Sequence, residues 1–182
     1  MAESKIRDLC DKLQERLDDR TIDLTDTLEE SGNVQTWLAE LADLLLFLAI
    51  IYYLLGRGGK ARMQATDWEY ILQEFNRQGG YLQGFADDIV AGNLTKAQIN
   101  ARTGLYYASL AQLYHIARAN AFGLILPAYP GEGSECKMSC KCWWRIVEYA
   151  DRWECFWERT VTESCPTCVE RSRIYAPYIA YK

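Results

Sequence analysis

Six of the seven cysteines lie between Cys136 and Cys168, and Cys10 stands apart near the start. Thiols this crowded restrict the last third of the chain to a disulfide framework, a metal site or a set of uncoordinated buried thiols. The start, MAESKIRDLC, is charged and opens no apolar run of the kind that begins a signal peptide. The expectation is therefore a chain made and kept in a reducing cytoplasm, where clustered thiols read first as metal ligands.

The spacing sharpens that reading. Cys165-Pro166-Thr167-Cys168 is a C-x2-C pair, which lets two thiolates reach one ion from a tight turn. Cys136, Cys140 and Cys142 lie just before a stretch that alternates. Cys140, Cys142, Trp144 and Ile146 fall on one face, and Lys141, Trp143, Arg145 and Val147 on the other. This period of two predicts a strand. Ala150-Asp151-Arg152 can turn, and 153–161 alternates again, so the pair reads as a β-hairpin whose open end brings the two cysteine groups together. The first-choice ligand set is Cys136, Cys140, Cys165 and Cys168, with Cys142 able to replace Cys136 or Cys140. A zinc ion held tetrahedrally by four thiolates at about 2.3 Å leaves no position for water or substrate, so it is structural. Cys155 sits between Trp153 and Trp157 on one strand face and is expected to be a buried apolar thiol. Disulfides formed after leaving the cell, or uncoordinated thiols, are the alternatives.

The rest of the chain reads as helices, giving a fold class of mainly α with a small C-terminal zinc-stapled β-hairpin (α+β). Residues 1–125 form the helical part and 126–182 the cysteine-rich module. Ile6, Leu9, Leu13 and Leu17 recur at helical spacing. The acidic, threonine-bearing stretch 18–31 is expected to contain a break, and Ser31-Gly32-Asn33 to start the next helix. From 44 to 55 the residues are apolar throughout. That run is shorter than the roughly 18–20 residues that span a bilayer, so a helix at about 36–55 is expected to be covered by its own fold or by a second subunit, making the chain a homo-oligomer. Gly56-Arg57-Gly58-Gly59-Lys60 ends it as a loose connection. It matches neither a P-loop nor a dinucleotide fingerprint. A helix opened by a Thr66–Glu69 capping box is expected to break at Gly79-Gly80. Another, capped by Thr95, runs to about Phe122, and Gly123 closes it.

Several functions are disfavoured. Among 182 residues there is one histidine, His115, so no catalytic or metal-binding histidine pair exists. Asp87-Asp88 reads as solvated surface, and no catalytic residue or small-molecule substrate is expected. The net charge of -5 disfavours coating nucleic acid. A nucleic-acid-binding zinc module is the rival of another class, but its Lys and Arg residues are interleaved with glutamates. Four of the six tryptophans, Trp143, Trp144, Trp153 and Trp157, lie on both faces of the hairpin, which predicts a protein–protein surface.

Tyr81-Leu82-Gln83-Gly84-Phe85-Ala86, then Ile89, Leu94-Thr95-Lys96-Ala97-Gln98-Ile99 and Ala101-Arg102, resembles a helical segment of tailed-bacteriophage minor head proteins of the Mu-type head-morphogenesis family. Leu126-Pro127-Ala128-Tyr129-Pro130-Gly131-Glu132-Gly133-Ser134, running into Cys136, Cys140, Cys142 and Trp144, does so too. Glu163-Ser164-Cys165-Pro166-Thr167-Cys168 is similar to the cysteine pair that follows in those proteins. The resemblance covers roughly residues 56–170. Family members are usually longer, with an extended domain before this region, and residues 1–55 match nothing in them. The resemblance implies a shortened relative: a virion protein made in the host cytoplasm, partnered by capsid, portal or tail proteins, with a head-to-tail connector as the alternative position.

Overall fold

Leu17, Leu24 and Leu28 fall on one side of the first helix, α1 (Glu3–Ser31), and are at most 5% exposed. The computed structural model describes residues 3–110, 112–129, 133, 135, 142–159 and 164–182. The expected break within 18–31 does not occur. Thr21 and Thr25 return their hydroxyls to the carbonyls of Leu17 and Thr21 at 2.7 and 2.9 Å. Hydroxyls satisfied within their own helix can be buried with the leucines, so the apolar stripe continues through the acidic stretch.

The apolar run becomes α2 (Val34–Arg57), which starts where Asn33 accepts a hydrogen bond from the Thr36 amide at 3.1 Å. It ends at Gly58 in the left-handed conformation, with Gly58 and Gly59 amides donating to Leu55 and Leu54 carbonyls. Among the described residues it alone is long and apolar enough to cross a membrane, with a mean hydropathy of 2.1 over its best window. Trp37, Leu41, Leu45, Leu48, Tyr52 and Tyr53 bury one side of it in a core shared with the other helices. Phe47, Ile51 and Leu54 form a stripe away from that core, and Phe47 is 55% exposed.

A short 3-10 turn (Lys60–Arg62) leads into α3 (Ala65–Val90). Its capping box is two residues earlier than expected: Gln64 is the cap and Asp67 answers its amide at 2.8 Å. The glycines at 79 and 80 do not break it. Ile71, Phe75, Leu82, Phe85 and Ile89 place apolar groups on one face across the pair, and buried Gln78 donates to Ser109 at 3.2 Å. Two glycines weaken a helix by about 1 kcal/mol each, and a buried stripe of this length outweighs that.

Helices α4 (Lys96–Leu110) and α5 (Gln112–Ala121) complete the bundle. Thr95 and Gln98 cap α4 reciprocally, since the Thr95 amide donates to Gln98 Oε1 at 2.8 Å. Asp88 pairs with Arg102 at 2.6 Å, tying α3 to α4, and Asp87 accepts from Gln83. The acidic pair is thus taken up by surface contacts. α5 lies against α2 so closely that a Cβ added at Gly56 would stand 2.3 Å from the Tyr114 carbonyl oxygen. The expected loose connection after α2 is instead locked at Arg57, which pairs with buried Asp67 at 3.0 Å.

Candidate metal-binding module

A second core begins where α5 ends. Ala119, Leu124, Leu126 and Ala128 are buried with Cys142, Trp144, Ile146, Cys155, Trp157 and Cys168. The alternating segments form β1 (Trp143–Glu148) and β2 (Arg152–Glu158), antiparallel with Trp144 opposite Trp157 and Ile146 opposite Cys155. The Tyr149 amide donates to the Arg152 carbonyl at 2.8 Å and closes the turn. The expected hairpin gains a third strand: after α6 (Pro166–Ile174), β3 (Tyr178–Tyr181) pairs antiparallel with β2. Four residues carry little strand signal by themselves; pairing supplies the order.

Trp144, Trp157 and the partly buried Trp153 line the inner face, where Trp144 and Trp157 meet edge to face at 5.2 Å. Trp144 Nε1 donates to the Ala128 carbonyl at 2.8 Å, holding the 124–128 loop over the sheet. On the outer face, the Arg145 guanidinium stacks 4.0 Å from the Phe156 ring and pairs with Glu158 at 2.6 Å.

The expected ligands divide into two groups. Cys165 precedes α6 as its N-cap residue, and Cys168 is fully buried in its first turn. Cys142 is buried at the start of β1. Cys136 and Cys140 lie outside the described residues. Among the described residues, no three His, Cys, Asp or Glu side chains are arranged to hold an ion.

Cys155 is separated from Cys142 by the strand register. Its partner Ile146 lies four residues along the chain from Cys142, a distance of about 13 Å in extended chain, so the two cannot share an ion. Burial pushes the Cys155 thiol up to about 11, partly offset by Arg118. The buried apolar thiol expected from sequence is what forms. Its proton is held more tightly folded than unfolded, so its contribution is intact below about pH 9 and is lost as pH rises towards 11. Chemical denaturation of wild type at pH 8 to 11 is expected to show falling stability, with a shallower slope in Cys155→Ala. An identical slope would show that another group titrates.

Two residues missed by sequence reading hold the module together. The Glu135 carboxylate accepts from the Thr167 amide at 3.3 Å, and its own backbone amide first, then Thr167 and Cys165, pull it down to about 2. The residue immediately before Cys136 is thereby held at the Cys165–Cys168 turn. Arg171 stacks 5.2 Å from the Trp157 ring. Among the described residues, its Nη1 and the Trp157 Nε1 are shut from solvent with no acceptor. Only the cysteines carried a sequence signal; an acidic and a basic residue in a mixed-charge stretch carry none.

No protein-family model, curated protein or solved structure matches this chain.

Proposed function

We propose that this chain is a structural component of a tailed-bacteriophage virion: a minor head, neck or capsid-associated protein whose C-terminal module is stapled by zinc. The observation that carries the metal reading is the Glu135 carboxylate at the Thr167 amide, which brings the chain entering Cys136 to the Cys165–Cys168 turn. Cys136, Cys140, Cys165 and Cys168 would hold the ion, with Cys142 as the alternate. Zinc supplies a cross-link that a three-stranded sheet and one short helix need, since their own core is small. The chain's role in this reading is assembly, not catalysis.

The resemblance to Mu-type minor head proteins supports the virion placement. The Phe47–Ile51–Leu54 stripe supports self-association through α2, because symmetric assemblies bury such stripes against a second copy. Two measurements test this. Protein purified without reductant is expected to hold close to one zinc per chain and to release thiols only on chelation or denaturation; absent metal with oxidised cysteines would replace the staple by disulfides. Mass spectrometry of purified particles is expected to find the chain in stoichiometric amount, and its absence would end the virion reading.

A further inference from the structure

We infer that β3 is a dimerisation edge: it pairs antiparallel with β3 of a second copy of this chain, joining two sheets into one. This contact is separate from the α2 stripe and depends on neither the zinc nor the virion reading. β3 lies at one edge of the sheet order β1-β2-β3. The phase of its hydrogen bonds fixes what that edge offers. The Lys182 amide donates to the Asp151 carbonyl and the Trp157 amide to the Tyr175 carbonyl, both at 3.1 Å. With Trp153 opposite Ala180, the groups of Tyr178, Ala180 and Lys182 therefore turn towards β2. Direction alternates along an antiparallel strand, so the amides and carbonyls of Ile179 and Tyr181 turn outwards. Among the described residues, no backbone group meets them. A row of unpaired donors and acceptors is a template for another strand.

The phase also selects the register. Using both outward residues of each copy sets Ile179 against Tyr181 twice, about a two-fold axis at Ala180, and each such pair exchanges two backbone hydrogen bonds. The side chains agree. Ile179 and Tyr181 lie on the outer face, 42% and 75% exposed, and a β-branched residue opposite an aromatic one is a favourable cross-strand pair. The charges agree as well. Within one sheet Tyr181 stands opposite Arg152 and Ile179 opposite Glu154, so each row across the junction carries Arg152 of one copy and Glu154 of the other. A second copy meets all three conditions by symmetry. The contact is also bounded. Pro177, the preceding position of outward phase, has no N–H to offer, and charged Lys182 follows the strand. Such a short strand buries less than the roughly 1,200–2,000 Å² of a standard stable interface, so the dimer is weak and concentration-dependent.

The test follows the full chain from micromolar to millimolar concentration by sedimentation and by residue-resolved amide hydrogen exchange. As dimer forms, the Ile179 and Tyr181 amides are expected to gain at least about tenfold protection, while the Ala180 and Lys182 amides are protected throughout. Ile179→Pro removes an outward amide and no bond to β2. It should weaken the dimer at least about tenfold with circular dichroism unchanged. Fast exchange at Ile179 and Tyr181 at every concentration would overturn the inference. So would protection of both amides in the monomer, because the chain would then cover its own edge. Association that Ile179→Pro leaves unchanged would also overturn it and place self-association on another surface. If Ile179→Pro does not fold, Tyr181→Lys decides, since it keeps every backbone bond and sets a charge against Ile179 of the other copy: severalfold weaker dimerisation supports the inference and unchanged dimerisation overturns it.

Discussion

Asp67→Ala is expected to destabilise the helical core by about 3–5 kcal/mol, the loss seen when one partner of a buried ion pair is removed. Arg57 and Asp67 side chains are only 7% and 6% exposed, with Arg57 Nε 3.0 Å from Asp67 Oδ2. That nitrogen is out of line for a hydrogen bond, so the contact is ionic. Asp67 does three other things. It accepts from the Tyr53 hydroxyl at 3.0 Å, it accepts from the Gln64 amide at 2.8 Å as half of the α3 capping box, and it holds Arg57 where Nη2 reaches the Arg62 carbonyl. Burial pushes the Tyr53 hydroxyl up to about 12, with Asp67 adding to the rise against Asn120. The phenol therefore stays a donor to Asp67 and an acceptor from Asn120 at 3.0 Å across the neutral range.

Without the carboxylate, Arg57 keeps a buried charge with no counter-ion, and α2, α3 and α5 lose their shared polar joint. Urea denaturation measures the effect. Asp67→Asn, which keeps an acceptor but not the charge, should fall between wild type and alanine. A paired Arg57→Met, Asp67→Leu protein should recover much of the loss, since the penalty comes mainly from the stranded charge. A change below about 1 kcal/mol in Asp67→Ala would mean that water reaches Arg57.

Trp144→Ala is expected to weaken the C-terminal module by about 3–5 kcal/mol, as for other fully buried tryptophans. Trp144 is 1% exposed, touches Trp157 at 5.2 Å and Tyr175 at 5.4 Å between ring centroids, and covers the Ala128 carbonyl with its Nε1 donor. Its removal leaves a cavity in the second core and an unpaired carbonyl in the loop. Near-ultraviolet ellipticity and thiol accessibility should report that loss, while helical ellipticity from the first core stays close to wild type. Loss of both signals in one transition would show instead that the two cores unfold as a unit through Ala119 and the Arg118–Trp144 contact. A loss under about 1 kcal/mol would remove Trp144 as the centre of the module.

How much of this was readable beforehand differs element by element. The ends of α2 were readable because Asn33 and Gly58 act on the backbone within a few residues. The hairpin and the apolar fate of Cys155 were readable from a period of two. The continuity of α1 and α3 was not. Threonines in an acidic run and paired glycines are local signals for a break, and the buried stripes that overrule them depend on what lies opposite. Strand β3 was invisible because four residues order only against an existing edge. The Arg57–Asp67 pair and the attachment of Glu135 to Thr167 join residues whose types are ordinary and whose neighbours are set by the fold.

By itself, then, the sequence determined a helical body, an apolar central helix and an alternating, thiol-rich end. Periodicity, caps and cysteine spacing act over a few residues and need no partner. The tertiary structure alone decided which charges are buried together and which thiol is kept away from Cys142. Those outcomes depend on distances between segments far apart in the chain, and such distances exist only once the two cores have formed.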